Sequence, residues 1–270
     1  MVRTHLWSEM TWPDFHQRDM SRCIAVLPVA AVEQHGPHLP LGTDAMIMQG
    51  YLDRVLARMP ADLDALFLPL QRIGTSNEHI DFPGTLTFSP QTLTRMLVEI
   101  GESVARSGCR KLVIVNSHGG NSSVIDTATR ELRRAQNMLA VAVSWARFGY
   151  PDGMFADSER IHGIHAGDIE TSLMLEFRRD LVRDSLRANF VPATVSMEKD
   201  YSWLNAGRPA GFGWMAQDLS ESGAMGNASI ATAAKGESAA DYGATAFIEL
   251  LRDVEAFDLT ALMPGPLSDR

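Results

Sequence analysis

Apolar and polar positions follow two rhythms along this chain. Short segments are apolar at nearly every position: 23–29 (CIAVLPV), 65–70 (ALFLPL), 111–115 (KLVIV) and 139–145. Between them lie longer stretches with apolar residues every three or four positions. Strands apolar on both faces are buried on both sides, so the short segments predict a mostly parallel sheet. The longer stretches predict helices over 44–59, 89–107, 121–136, 168–179 and 233–257. Ser89 and Pro90 suit the opening of the second, where the missing proline N–H costs little. Thr43 or Asp44 is expected to cap the first. Strand and helix alternate, which predicts an α/β fold with helices on both faces of the sheet. Residues 198–229 break the pattern. They are rich in glycine, tryptophan and small polar residues, and are expected to form a lid or assembly arm that buries Trp203, Phe212 and Trp214.

Composition narrows the function classes. Against 24 Lys and Arg stand 33 Asp and Glu, a net charge of −9 over 270 residues without a basic run. This argues against nucleic acid and anionic membrane surfaces as partners. No segment approaches the ~20 apolar residues of a membrane span, and residues 1–15 carry no apolar run of a signal peptide. A cytoplasmic protein with a small-molecule substrate is expected. Cys23 and Cys109 are the two cysteines, too few for an all-cysteine metal site, and read as buried thiols.

The chemistry concentrates in three motifs. The first, E-Q-H-G-P-H-L-P-L-G-T-D over 33–44, follows the first strand directly. Residues two apart in an extended segment point the same way, so Glu33 and His35 can share a target. Gly36, Pro37 and Pro40 bend the chain and can return Asp44 to it. His38, of opposite parity, is expected to be structural. The second motif, N-S-H-G-G-N over 116–121, begins where the 111–115 strand ends. That is where open α/β sheets bind ligands, and His118 stands there. The third, H-A-G-D-I-E-T-S over 165–172, puts Glu170 in the first turn of a helix, with His165 just upstream and Asp168 expected as a helix cap. Glu33, His35, Asp44, His118 and Glu170 form an oxygen and nitrogen ligand set that exceeds the three protein ligands of one catalytic zinc. It suits two divalent ions roughly 3.5–4 Å apart, bridged by Asp44 and a water whose pKa falls towards ~7 to yield hydroxide. His165 is expected to protonate a leaving nitrogen, or Glu78 or His79 if the 74–79 segment folds inward. Ser76 and Trp214 are candidate substrate contacts. No G-x-S-x-G elbow is present, which disfavours a serine nucleophile.

With these residues in place the chain resembles the creatininase (creatinine amidohydrolase) family, through 33–44, 116–121, 165–172 and the phrase F-P-G-T at 82–85. The resemblance covers most of residues 20–250. It implies a single three-layer α/β/α domain over 1–270. It implies two divalent ions per subunit (Zn, Mn or Fe) and a homo-hexamer. It also implies hydrolysis of a C–N bond in a cyclic amide, formamide or small peptide. Glu33, His35, Asp44 and His118 fall on its metal-ligand positions. Glu170 falls on the fifth ligand position of the formamide-hydrolase and mycofactocin-peptidase-like branches. One departure stands out: creatininase itself carries a metal-binding carboxylate where this chain has Gly120, so creatinine as substrate is in doubt. Hydrolytic C–C ring opening of a cyclic polyol ketone, such as a dehydro-inosose, is the alternative reaction. A non-catalytic metal-binding assembly protein is the alternative from another class.

Overall fold

The computed structural model describes residues 5–207, 209–263 and 265. Four parallel strands form the central sheet in the order β2-β1-β3-β4: β1 (Ile24–Val29), β2 (Ala65–Phe67), β3 (Lys111–Asn116) and β4 (Leu139–Ser144). β1 and β3 are the inner pair, in register from Ile24 opposite Lys111 to Val29 opposite Asn116. Every residue of both inner strands is buried. Their side chains sort by parity. Ile24, Val26, Val113 and Val115 join one core, and Ala25, Leu27, Leu112 and Ile114 join the other. The predicted α/β fold, parallel and covered on both faces, is what forms.

The helices are α1 (Trp12–Gln17), α2 (Thr43–Leu56), α3 (Pro90–Arg106), α4 (Ser122–Gln136), α5 (Asp157–His162), α6 (Asp168–Phe177), α7 (Thr194–Asp200), α8 (Ala216–Leu219) and α9 (Ala233–Ala256). α2, α6 and α9 cover one face, and α3 and α4 cover the other. Ser89 caps α3 by accepting from Thr92 N at 3.2 Å, with Pro90 in its first position. β4 was expected to be buried like the others. It lies at the sheet edge and is mostly half-buried. A short antiparallel pair, β5 (Asn189–Phe190) and β6 (Gly226–Asn227), lies outside the main sheet.

The 198–229 segment departs from expectation. Trp203 is 72% exposed and Phe212 36%. Trp214 alone is drawn in, half-buried against a small cluster of Ala206, Ala216, Leu219 and Met225. Both cysteines are buried and free, with Cys109 Sγ 3.0 Å from Cys23 O.

Candidate metal centre

The site grows from the C-terminal ends of the inner strands. Beyond β1, Ala30 N donates to Gln71 O (2.9 Å), and Glu33 N donates to Leu41 O (2.9 Å). His35 bridges Leu39, so residues 33–41 double back on themselves. Gly36 takes φ +66° at the bend, and a Cβ there would lie 2.6 Å from Ala224 Cβ. This return delivers the chain to α2. The cap of that helix is Gly42, not Thr43 or Asp44. Thr43 Oγ1 donates instead to Pro40 O (2.7 Å), which leaves the Asp44 carboxylate free to face the strand ends. His118 follows β3, where Ser117 N donates to Val29 O (3.1 Å). Glu170 occupies the first turn of α6, and its Oε2 accepts from Ala166 N at 2.6 Å.

These side chains converge. Glu33 Oε1 lies 3.2 Å from His118 Nδ1, 3.3 Å from His79 Nε2 and 3.7 Å from His165 Nδ1. Asp44 turns Oδ1 towards His35 Nε2 (3.6 Å) and Oδ2 towards His118 Nδ1 (3.5 Å). Glu170 Oε2 is 3.8 Å from His35 Nε2. Four groups of three offer ligand atoms mutually within 4.8 Å: Glu33–His35–Asp44, His35–His165–Glu170, Glu33–His79–His165 and Glu33–Glu78–His118. Both Glu33 carboxylate oxygens, His35 Nε2 and Asp44 Oδ2 are buried without a hydrogen-bond partner among the described residues. Each such group costs free energy on the order of 1–3 kcal/mol or more, and a cation among them removes that cost. The residues therefore fit a metal.

Backbone carbonyls set the imidazoles. Carbonyls only accept, so His35 Nδ1 donates to Glu33 O (3.0 Å), His118 Nε2 to Thr75 O (2.8 Å) and His165 Nε2 to Gln34 O (2.5 Å). The opposite nitrogen of each ring faces the carboxylates, the arrangement in which histidines ligate metals. His79 is wired the other way. The Gln34 amide accepts from Gly36 N (2.8 Å) and donates to Gly223 O (3.0 Å) and to His79 Nδ1 (2.7 Å). His79 thus carries its proton on Nε2, aimed at Glu33. Without metal, burial opposes charge on His35, yet Asp44, Glu170 and Glu33 raise its pKa to about 9. Burial likewise opposes charge on His118, and Glu33, Asp44 and Glu78 raise it to about 10. Burial dominates at His165, helped by His35 and His79, and lowers it to about 3. Burial also lowers His79 to about 4, against the pull of Glu33.

The Creatininase family profile, described as creatinine amidohydrolase, matches residues 8–251. The chain belongs to the creatininase family. It is 34% identical over 218 residues to a mycofactocin precursor peptide peptidase of Mycolicibacterium smegmatis, covering 79% of this chain and 78% of that protein. It is 34% identical over 215 residues to a creatinine amidohydrolase of Pseudomonas putida, covering 72% and 80%. A solved manganese creatininase superposes with a TM-score of 0.74 at 27% identity, over 94% of this chain and 100% of that one. This chain is accordingly a creatininase-family hydrolase.

Within this creatininase-family site, Glu33, His35, Asp44, His118, Glu170, His165, His79 and Glu78 are brought together. Ser76 is fully buried, and its Oγ has no partner among the described residues. Trp214 lies apart, with Nε1 donating to Ala206 O (3.1 Å). It does not line the cavity of about 310 Å³ that reaches His118 and Glu170. Trp145 does line that cavity, stacked on Tyr51 at 4.2 Å. His38 is buried away from the cluster, 2.9 Å from Thr171 Oγ1. Asp168 is no cap. Gly167 holds that position, and Asp168 pairs with Lys235 Nζ at 2.6 Å, tying α6 to α9. Sequence reasoning passed over Gln34, although it sits between two candidate ligands. It also passed over Glu159, whose buried carboxylate accepts from Asp168 N (2.6 Å), Ile169 N (3.4 Å) and Asn227 N (3.0 Å). No local motif marks Glu159; its partners come from the start of α6 and from β6.

Proposed function

We propose that this chain is a metal-dependent amidohydrolase that cleaves a C–N bond in a small amide, formamide or peptide. The supporting observation is the set of buried, unpartnered ligand atoms on Glu33, His35 and Asp44. Glu33, His118 and Asp44 would hold one cation, and His35, Asp44 and Glu170 the other. Bound there, divalent ions such as Zn, Mn or Fe supply a reactive water at neutral pH and polarise the substrate carbonyl.

The protein's own groups do the rest. Hydrolysis forms a C–O bond, breaks the C–N bond and moves a proton from water to the leaving nitrogen. His165 suits that transfer. Its Nε2 is committed to Gln34 O, and its Nδ1 faces the cluster without a proton. His79 lies with Nε2 3.3 Å from Glu33 Oε1, and the Gln34 amide fixes its ring through Nδ1. The cavity of about 310 Å³ admits a small substrate or a peptide end. Exposed Tyr201, Trp203 and Leu204 support self-assembly, with a hexamer as the expected form.

The test is elemental analysis of purified protein beside a panel of lactams, formamides, short peptides and cyclic polyol ketones. Chelation is expected to abolish turnover of an amide, and Zn or Mn to restore it. Metal content near zero after reconstitution would sink the reading. Turnover confined to the cyclic ketones would replace amide hydrolysis with ring opening.

A further inference from the structure

The four carboxylates around the cluster do not all come from the three motifs. Glu78 comes from the short turn Asn77–His79, on a segment pressed flat against the strand ends. Thr75 N donates to Asn121 Oδ1 (2.9 Å), and Thr75 O accepts from His118 (2.8 Å). A Cβ on Gly74 would lie 2.4 Å from Asn121 Oδ1 and 2.5 Å from Ala30 O, so only glycine permits this seating. The segment then carries the Glu78 carboxylate alongside the His118 ring, 3.8 Å from Nε2, the nitrogen that donates to Thr75 O.

The space it enters is kept open by Gly120. A Cβ on Gly120 would lie 2.4 Å from His118 Nε2, 2.5 Å from Thr75 O and 2.6 Å from Glu78 Oε1. A side chain there and Glu78 in its present place exclude each other. Among the described residues the Glu78 carboxylate pairs with no lysine or arginine, and its side chain is 21% exposed. It stands beside Glu33, which is fully buried with both oxygens unpartnered. Two carboxylates drawn together in a poorly solvated place repel unless a cation lies between them. One ligand atom from each of Glu33, Glu78 and His118 lies within 4.8 Å of the others. Charge agrees: Glu33, Asp44, Glu78 and Glu170 together balance two divalent ions.

We propose that Glu78 is a metal ligand, joining Glu33 and His118 through the space that Gly120 leaves. This rests on the metal-dependent reading above, and it moves Glu78 from proton donor to ligand. The test compares wild type with Glu78→Gln and Glu78→Asp. Zn and Mn content is measured after equilibrium dialysis, and the absorption spectrum is recorded after Co(II) loading. Wild type is expected to hold two ions. Glu78→Gln is expected to weaken one of them by about 10- to 100-fold and to change the Co(II) bands. Glu78→Asp, which keeps the charge, is expected to recover part of that affinity. Unchanged metal content, affinity and Co(II) spectrum in both variants would overturn the assignment, even with turnover lost, because that pattern belongs to a proton donor. Asp44→Asn separates the two readings. If it binds both ions as tightly as wild type, the metal centre itself is misassigned. If it loses them while Glu78→Gln does not, only the role of Glu78 falls.

Discussion

His35 and His118 carry opposite demands in the empty and the loaded site. Without metal, the surrounding carboxylates overcome burial and hold their pKa values at about 9 and about 10, so both are imidazolium at neutral pH. A ligand nitrogen must be unprotonated, so binding metal at pH 7 is expected to expel about two protons per chain. Titration calorimetry in buffers of different ionisation enthalpy reads this directly, and a buffer-independent heat would contradict it. The same groups shape the stability of the metal-free chain. Imidazoles raised above their ordinary 6.5 stabilise the fold fully below that value, and the contribution fades as pH climbs through about 9 and 10. His79 and His165, lowered to about 4 and about 3, act in reverse. Their contribution is complete above 6.5 and is lost as pH falls towards 4 and 3. The melting temperature of the metal-free chain should therefore peak near pH 6.5 and decline on both sides. A monotonic profile would count against these assignments.

At the scale of elements, the start of α6 depends on one distant carboxylate. Glu159 in α5 accepts from Asp168 N and Ile169 N of α6 and from Asn227 N of β6. It thereby steadies the turn that carries His165 and Glu170. That turn is demanding: Ala166 sits at φ +56°, an uncommon conformation for a residue with a side chain. His165 and Met225 exchange backbone hydrogen bonds of 3.2 and 2.7 Å across it. Glu159→Ala leaves buried N–H groups unpaired, at a cost of about 1–3 kcal/mol. Its expected signature is a melting temperature several degrees lower and faster amide exchange confined to 163–170 and 225–228. Unchanged exchange there would show that α6 is held without Glu159.

For the whole molecule, the proposed self-assembly can be tested on exposed apolar side chains. Trp203 at 72% exposed stands with Tyr201 and Leu204 on the 198–229 segment. Large apolar side chains exposed close together in sequence are candidates for such a contact. Trp203→Asp should shift sedimentation towards smaller species while the far-UV circular dichroism of the fold is kept. Identical sedimentation of variant and wild type would place the interface elsewhere. No described helix is long and apolar enough to cross a membrane.

Local chemistry alone specified the elements that organise the site. Runs apolar at nearly every position make strands of a sheet covered on both faces, and β1 and β3 formed where 23–29 and 111–115 predicted. The parity of Glu33 and His35, and the bend at Gly36, were likewise readable, because backbone geometry within a few residues dictates them. Contacts between distant segments were not. Nothing near Glu159 announces Asn227, and nothing near Glu78 announces the room at Gly120. Thr43 and Asp44 look like caps until the return of 33–41 gives one a carbonyl and the other a cluster to face. The exposure of Trp203 also escaped sequence reading, since its size and apolarity predict burial, and only the folded chain decides which surface is left for that residue to cover.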